Sequence, residues 1–328
     1  MSQSSPHPLP ICRGYLNGSL ARLGLNFAWL VVCWAVLLSA ASFAQSIKVT
    51  LLGTGNPRPV MTRFGPSILV EAGSEKLLFD CGRGATQRLY QLKHDTDITA
   101  LFLTHLHSDH VVGLTDFWLT GWLMGRKVPL RMFGPAGTQD MATHLTEAFA
   151  FDIHTRRDLD EQVPGDGFKL VAKDIQQGVV YQSEGVKVTA FLVDHGAVKP
   201  AFGYRIDYAG HSVVLSGDTR YSENLIRFAQ GTDLLIHEVI DVDAYEHSGT
   251  HFTPEQQKKV IAHHTTPEQA GALFTKVKPK LAVYSHIVPP EVPTLFAQTR
   301  KTYQGPLEVG VDLMSIEVGE QVTVHRPE

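Results

Sequence analysis

The stretch Thr104-His105-Leu106-His107-Ser108-Asp109-His110 follows an apolar run and precedes a helix-like segment, so four side chains able to bind a metal fall close together. On extended backbone, residues two apart point to the same side. His105 and His107 can therefore face one ion, while the turn that follows aims Asp109 and His110 at a second. A closed structural zinc site is the competing description, but such sites are usually completed by cysteines and histidines without an aspartate. Two adjacent divalent cations, zinc foremost, are the expected occupants.

Ligands need rigid supports, and the chain supplies strand-like runs between turn signals. Lys48 to Leu52, Ser67 to Glu71, Lys76 to Asp80 and Ala100 to Thr104 form one series; Val186 to Val193, Gly203 to Tyr208, Ser212 to Ser216, Leu234 to His237 and Leu281 to Ser285 form a second. Helical stretches at Gly84 to Leu92, Val111 to Met124 and Thr138 to Ala148 lie among them. Two more helices open alike, Thr253-Pro254-Glu255-Gln256 and Thr266-Pro267-Glu268-Gln269. In each, the threonine can cap, the proline fits the first helical position and the glutamine can close a capping box. One helix should end near Ala262 and the next begin near Pro267, leaving His263, His264 and Thr265 in the corner. Periodicity alone gives an α/β fold. Further polar groups close later strands: Asp194-His195, Gly217-Asp218 and Ser285-His286.

The H-x-H-x-D-H segment resembles the signature of the metallo-β-lactamase superfamily at every ligand position. The resemblance implies a four-layer α/β/β/α sandwich in a single domain over residues 45–328. Carried over in order of motifs, His195 joins His105 and His107 on one metal, His286 joins Asp109 and His110 on the other, and Asp218 bridges. Other segments narrow the match: Leu51-Leu52-Gly53-Thr54-Gly55, Leu78-Phe79-Asp80-Cys81-Gly82-Arg83-Gly84, His237-Glu238 and His264-Thr265 resemble the ribonuclease Z group. By that resemblance Asp109 serves as base besides binding metal, and His264, held by Glu238, donates a proton to the leaving group. His237-Glu238-Val239-Ile240 departs from the group, which usually continues with a small residue and threonine.

Residues 1–44 contain no Asp or Glu, carry Arg13 and Arg22, and run apolar from Phe27 to Ala41. They read as an export signal cleaved after Ala44, giving a periplasmic or secreted protein; an uncleaved membrane anchor is the alternative. The remainder holds 27 basic and 33 acidic residues and no basic nucleic-acid footprint. Cys81 is its only cysteine, so no intrachain disulfide can form there.

Bacterial ribonuclease Z carries a long tRNA-gripping arm between the segments matching His195 and Asp218, whereas only 23 positions separate them here. With the acidic balance and the leader, this points to small anionic esters and away from nucleic acid as a partner. An arylsulfatase-like sulfuric ester hydrolase comes first, a cyclic-nucleotide or other small phosphodiesterase next, then a tRNA 3′ endonuclease, then a non-catalytic metal-binding protein. His94, His144, His211, His247 and His325 read as surface residues, while His154 and His251 are unassigned. The stretch Asp116 to Trp122 reads as core packing.

Overall fold

The computed structural model describes residues 45–94, 97–290 and 293–327; the expected leader and its cleavage point lie outside them. By its contacts, Gln45–Glu328 forms one unit. Among the described residues no helix is long and apolar enough to cross a membrane.

Among the described residues fifteen strands build two sheets. The first contains β1 (Ile47–Gly53), β2 (Ser67–Ala72), β3 (Glu75–Phe79), β4 (Ala100–Phe102), β5 (Leu130–Gly134), β6 (Leu170–Asp174), β14 (Ser315–Val318) and β15 (Val322–His325), in the order β15-β14-β1-β2-β3-β4-β5-β6. The second contains β7 (Gly178–Ser183), β8 (Val186–His195), β9 (Val198–Tyr208), β10 (His211–Leu215), β11 (Leu234–Ile240), β12 (Leu281–Val288) and β13 (Leu307–Val309), in the order β13-β12-β11-β10-β9-β8-β7.

Alternating faces of the strands explain the layers. Val49, Leu51, Phe79 and Phe102 from the first sheet share a buried core with Val188, Tyr204, Val213 and Val283 from the second. The opposite face of the first sheet, through Leu78, Leu101 and Met132, packs on Leu89 and on Leu114, Phe117, Trp118 and Trp122. These side chains come from helices Ala85–Gln91 and Leu114–Leu123. The outer face of the second sheet, through Val214, Leu235 and Tyr284, packs on helices Glu223–Ala229, Pro267–Val277 and Leu295–Thr299. The result is the expected α/β/β/α sandwich. Trp118 and Trp122 are fully buried, as core residues.

Helices Pro254–Ile261 and Pro267–Val277 begin where the threonine caps place them, and both capping boxes form. Such a cap contributes about 1 kcal/mol. The helix expected over Val111 to Met124 is instead two pieces, Ser108–Val111 and Leu114–Leu123. At the junction between them a Cβ on Gly113 would lie 2.1 Å from the Gly82 carbonyl oxygen. Backbone from two loops meets there, and only glycine fits.

Candidate metal centre

The supports for the site are the carboxyl ends of parallel strands, where α/β folds place ligands. β3 and β4 run parallel, as do β10, β11 and β12. Asp80 follows β3, His105 lies three residues beyond β4, Asp218 three residues beyond β10, and Glu238 and His286 each lie two residues before the ends of β11 and β12. At β11 and β12, Glu238 alone lies opposite Ser285 and His286. This bulge carries His286 at a φ of 43°, a left-handed conformation costly for a side chain of its size, held where the side chain must turn inward.

The ligand loop is fastened from below. Cys81 N donates to the His110 carbonyl at 2.8 Å and Gly113 N to the Cys81 carbonyl at 2.9 Å. The Asp80 carboxylate accepts from Thr104 N and Thr104 Oγ1, and lies 2.8 Å from His110 Nδ1. It therefore takes up one ring nitrogen of His110 and leaves Nε2 facing the cluster.

There the structure brings together every residue the sequence singled out. Donor atoms of His105, His107 and His195 form one group within 4.8 Å of one another, and those of Asp109, His110 and His286 form another. Asp218 Oδ2 lies between them, 3.9 Å from His105 Nε2 and His195 Nε2, 3.4 Å from His110 Nε2 and 3.2 Å from His286 Nε2. Apart from exposed His107, the residues of both groups are buried, as is Asp218. The Nε2 atoms of His105 and His110 have no hydrogen-bond partner. Buried imidazole nitrogens left unpaired are costly, and a divalent cation taking their lone pairs removes that cost. This donor set of imidazole nitrogens and carboxylate oxygens fits zinc or a similar ion.

The electrostatics agree with a cation site. Burial opposes charge on Asp218, yet His286 and His110 outweigh it and hold the carboxyl well below the usual range. Burial holds His105 well below the ordinary imidazole value, keeping its lone pair available.

Next to the ligands lies a second arrangement. Glu238 Oε1 accepts from Thr265 N at 2.9 Å and Thr219 N at 3.3 Å, while Oε2 lies 3.2 Å from His264 Nδ1. Burial, reinforced by Asp218, pushes the Glu238 carboxyl up to about 8. Burial pushes His264 down to about 4. Both shifts have burial as their first cause and disfavour separate charges on the two side chains, while the Oε2–Nδ1 contact leaves Nε2 as the ring nitrogen not turned to Glu238.

His263 was not singled out by the sequence. Its ring lies 4.7 Å from that of His195, its carbonyl lies 3.1 Å from His195 Nδ1, and its donor atom belongs with those of His195 and His264. Its place in the corner between two capped helices was the available signal. Of the unassigned histidines, His251 lines the cleft beside the cluster, whereas His154 is exposed and paired with Asp158. Arg83 is exposed and donates to the Pro57 carbonyl.

Fold and ligand geometry define a metallo-hydrolase architecture, and comparison with known proteins agrees. A family model described as "Beta-lactamase superfamily domain" matches residues 75–287. A protein of Mycolicibacterium gilvum named Ribonuclease Z is 39% identical over 233 residues, covering 68% of this chain and 78% of the relative. Another of that name, from Mycobacterium bovis, is 35% identical over 284 residues, covering 83% of this chain and 98% of the relative. Among solved structures, human tRNase Z, short form, superposes with a TM-score of 0.60 at 23% identity over 82% of this chain and 98% of its own. The chain belongs to the metallo-β-lactamase superfamily, in its ribonuclease Z-like group.

One expectation is corrected by these relatives. The exclusion of nucleic acid as a partner rested on the acidic balance, on the leader and on the short connection from His195 to Asp218, which is indeed a plain β9–β10 hairpin. Yet the Mycobacterium bovis protein matches over 98% of its length, which leaves no unmatched segment the size of a gripping arm, and it bears the name Ribonuclease Z. A missing arm therefore does not exclude nucleic acid.

Proposed function

We propose that this chain is a metal-dependent phosphodiesterase that hydrolyses a phosphodiester bond of RNA. His105, His107 and His195 would hold one zinc ion, Asp109, His110 and His286 a second, and Asp218 both. Such a pair supplies a water of lowered pKa and a positive field for the tetrahedral phosphate. The observation that carries the reading is the His264–Glu238 pair beside the ligand cluster. Alkoxide leaving groups, such as a ribose oxygen, need a proton as they depart, and His264 Nε2 is the donor at hand. Asp109, which lines the cleft 3.3 Å from His286 Nε2, would accept a proton from the attacking water.

The relatives named Ribonuclease Z support an RNA substrate over the sulfuric ester that the sequence alone put first. The test uses the full chain loaded with zinc. A precursor tRNA with a 3′ trailer and bis-p-nitrophenyl phosphate should both be cleaved, and both activities should vanish with a chelator. Hydrolysis of p-nitrophenyl sulfate with neither phosphodiester cleaved would refute the proposal in favour of an arylsulfatase-like enzyme.

A further inference from the structure

Beside the ligand cluster opens a cleft of about 770 Å³, lined at its inner end by His107, Asp109, Asp218, His264 and His286. Its outer part has a different chemistry. Tyr245 and Val288 form a small buried cluster with Ile240, packed by Val260, and three of these four side chains line the cleft. Pro57, Pro59 and Pro290 also contribute to the lining. Phe252 lines the cleft as well and is 51% exposed, an apolar ring left open to solvent at the border of a polar site. Among the described residues Arg58 is the sole arginine or lysine in the lining. It reaches the loop that bears Phe252, donating from Nη1 to the Ser248 carbonyl at 3.3 Å.

We propose that this outer part is a nucleobase subsite, in which Phe252 stacks on the base of the nucleotide whose phosphate lies at the ligand cluster. The inference rests on the phosphodiesterase reading above and names what surrounds the reacting phosphate. Three features point to this occupant. The volume lies in the range of pockets that enclose a compact ligand, roughly 300–1,000 Å³. The walls are apolar and the open ring offers a π-face, which suits a planar heterocycle; a small alkyl ester would leave that surface wet. A single cation matches one further phosphate at most, whereas a groove that tracks a nucleic-acid backbone is lined with positive charge. The cleft thus reads the nucleotide beside the reacting phosphate by stacking, with little dependence on which base it is.

Direct binding to the zinc-loaded full chain separates the subsite from turnover. Calorimetric titration with adenosine 5′-monophosphate and with methyl phosphate compares two ligands with the same phosphate, one of which carries a base. The nucleotide should bind wild type at least about 10-fold more tightly. Stacking on an aromatic side chain is worth roughly 1–3 kcal/mol per base, so Phe252→Ala should weaken the nucleotide about 10-fold and leave methyl phosphate within about twofold. Phe252→Trp should keep the nucleotide affinity, a rescue that general damage to the loop would not permit. Equal affinities for the two ligands in wild type, or an equal effect of Phe252→Ala on both, would overturn the subsite while leaving hydrolysis of phosphodiesters untouched. A Phe252-dependent nucleotide affinity in a protein that cleaves no phosphodiester would instead retain the subsite and overturn the proposed reaction.

Discussion

The loop Thr104–Gly113 and the loop Tyr245–Phe252 border the same cleft and are held in opposite ways. The first is fixed by the Asp80 carboxylate, by backbone bonds to Cys81 and by a glycine contact with no spare room. The second is anchored at its start by buried Tyr245, and beyond that residue it is held by local bonds, such as Phe252 N to Thr250 Oγ1, and by an exposed contact from Arg58. Metal ligands must converge to within fractions of an ångström, which requires supports on every side. A surface that receives a substrate has a looser requirement, and its side chains remain accessible. The contrast predicts where substitutions will be severe and where they will be mild.

The largest effect should come from Asp218→Ala, which removes the carboxylate lying between both donor groups. Metal analysis should show loss of bound zinc, and hydrolysis of bis-p-nitrophenyl phosphate should fall by at least about 1,000-fold, in the range expected when transition-state electrostatics are removed. Arg83→Ala, outside the cleft lining, should cost less than about 10-fold; comparable losses from the two would show that Asp218 has no such central role.

His264→Ala tests the boundary between the two regions. Zinc content should be unchanged, while esters with poor leaving groups slow by roughly 100- to 10,000-fold and p-nitrophenyl esters much less. Loss of an ion, or equal slowing of both ester types, would make His264 a ligand or a structural residue and not a proton donor.

Asp80→Asn acts one bond further out. It removes the negative charge that orients His110 and should weaken zinc about 10- to 100-fold, read by competition with a chromophoric chelator. Unchanged affinity would mean that the backbone alone suffices to hold the ring.

The smallest pair compares stability across the two loops. Gly113→Ala forces a Cβ against the Gly82 carbonyl and should cost about 1–3 kcal/mol in denaturant unfolding. Arg58→Ala, at the exposed contact, should stay within about 0.5 kcal/mol. Similar values for both would dissolve the distinction between a fixed and a loose loop.

The parts visible in the sequence were those where local chemistry and burial coincide. The buried runs of β1, β4, β11 and β12 stand out as strands because most of their residues are apolar or β-branched, and several ligands lie in or just after such runs. Threonine, proline and glutamine marked both helix starts to the residue. By contrast β6 and β7 alternate half-buried and exposed positions and carry few long apolar runs, so nothing local separated them from loops. The last three strands, β13 to β15, are short, and two of them pair with strands that are not their sequence neighbours across a tight turn, β13 with β12 and β14 with β1. Asp80 was visible as part of a motif, but its hold on His110 depends on two strands meeting in space. The need for glycine at 113, between the two helix fragments, was likewise hidden, because it is dictated by backbone 31 residues away at Gly82.

The hairpin turn at Ala209–Gly210, both with positive φ, has a use apart from catalysis. Its strands begin beside His195 and lead back toward Asp218, so the tip stands about 20–30 Å from the ligands at the usual rise per strand residue. Solvent-facing tips of this kind accept inserted sequence with little disturbance. The molecule therefore has a natural splice point: a tag, a fluorescent reporter or a nucleic-acid-binding module could be grafted there, changing what the protein is tethered to while the zinc ligands keep their places.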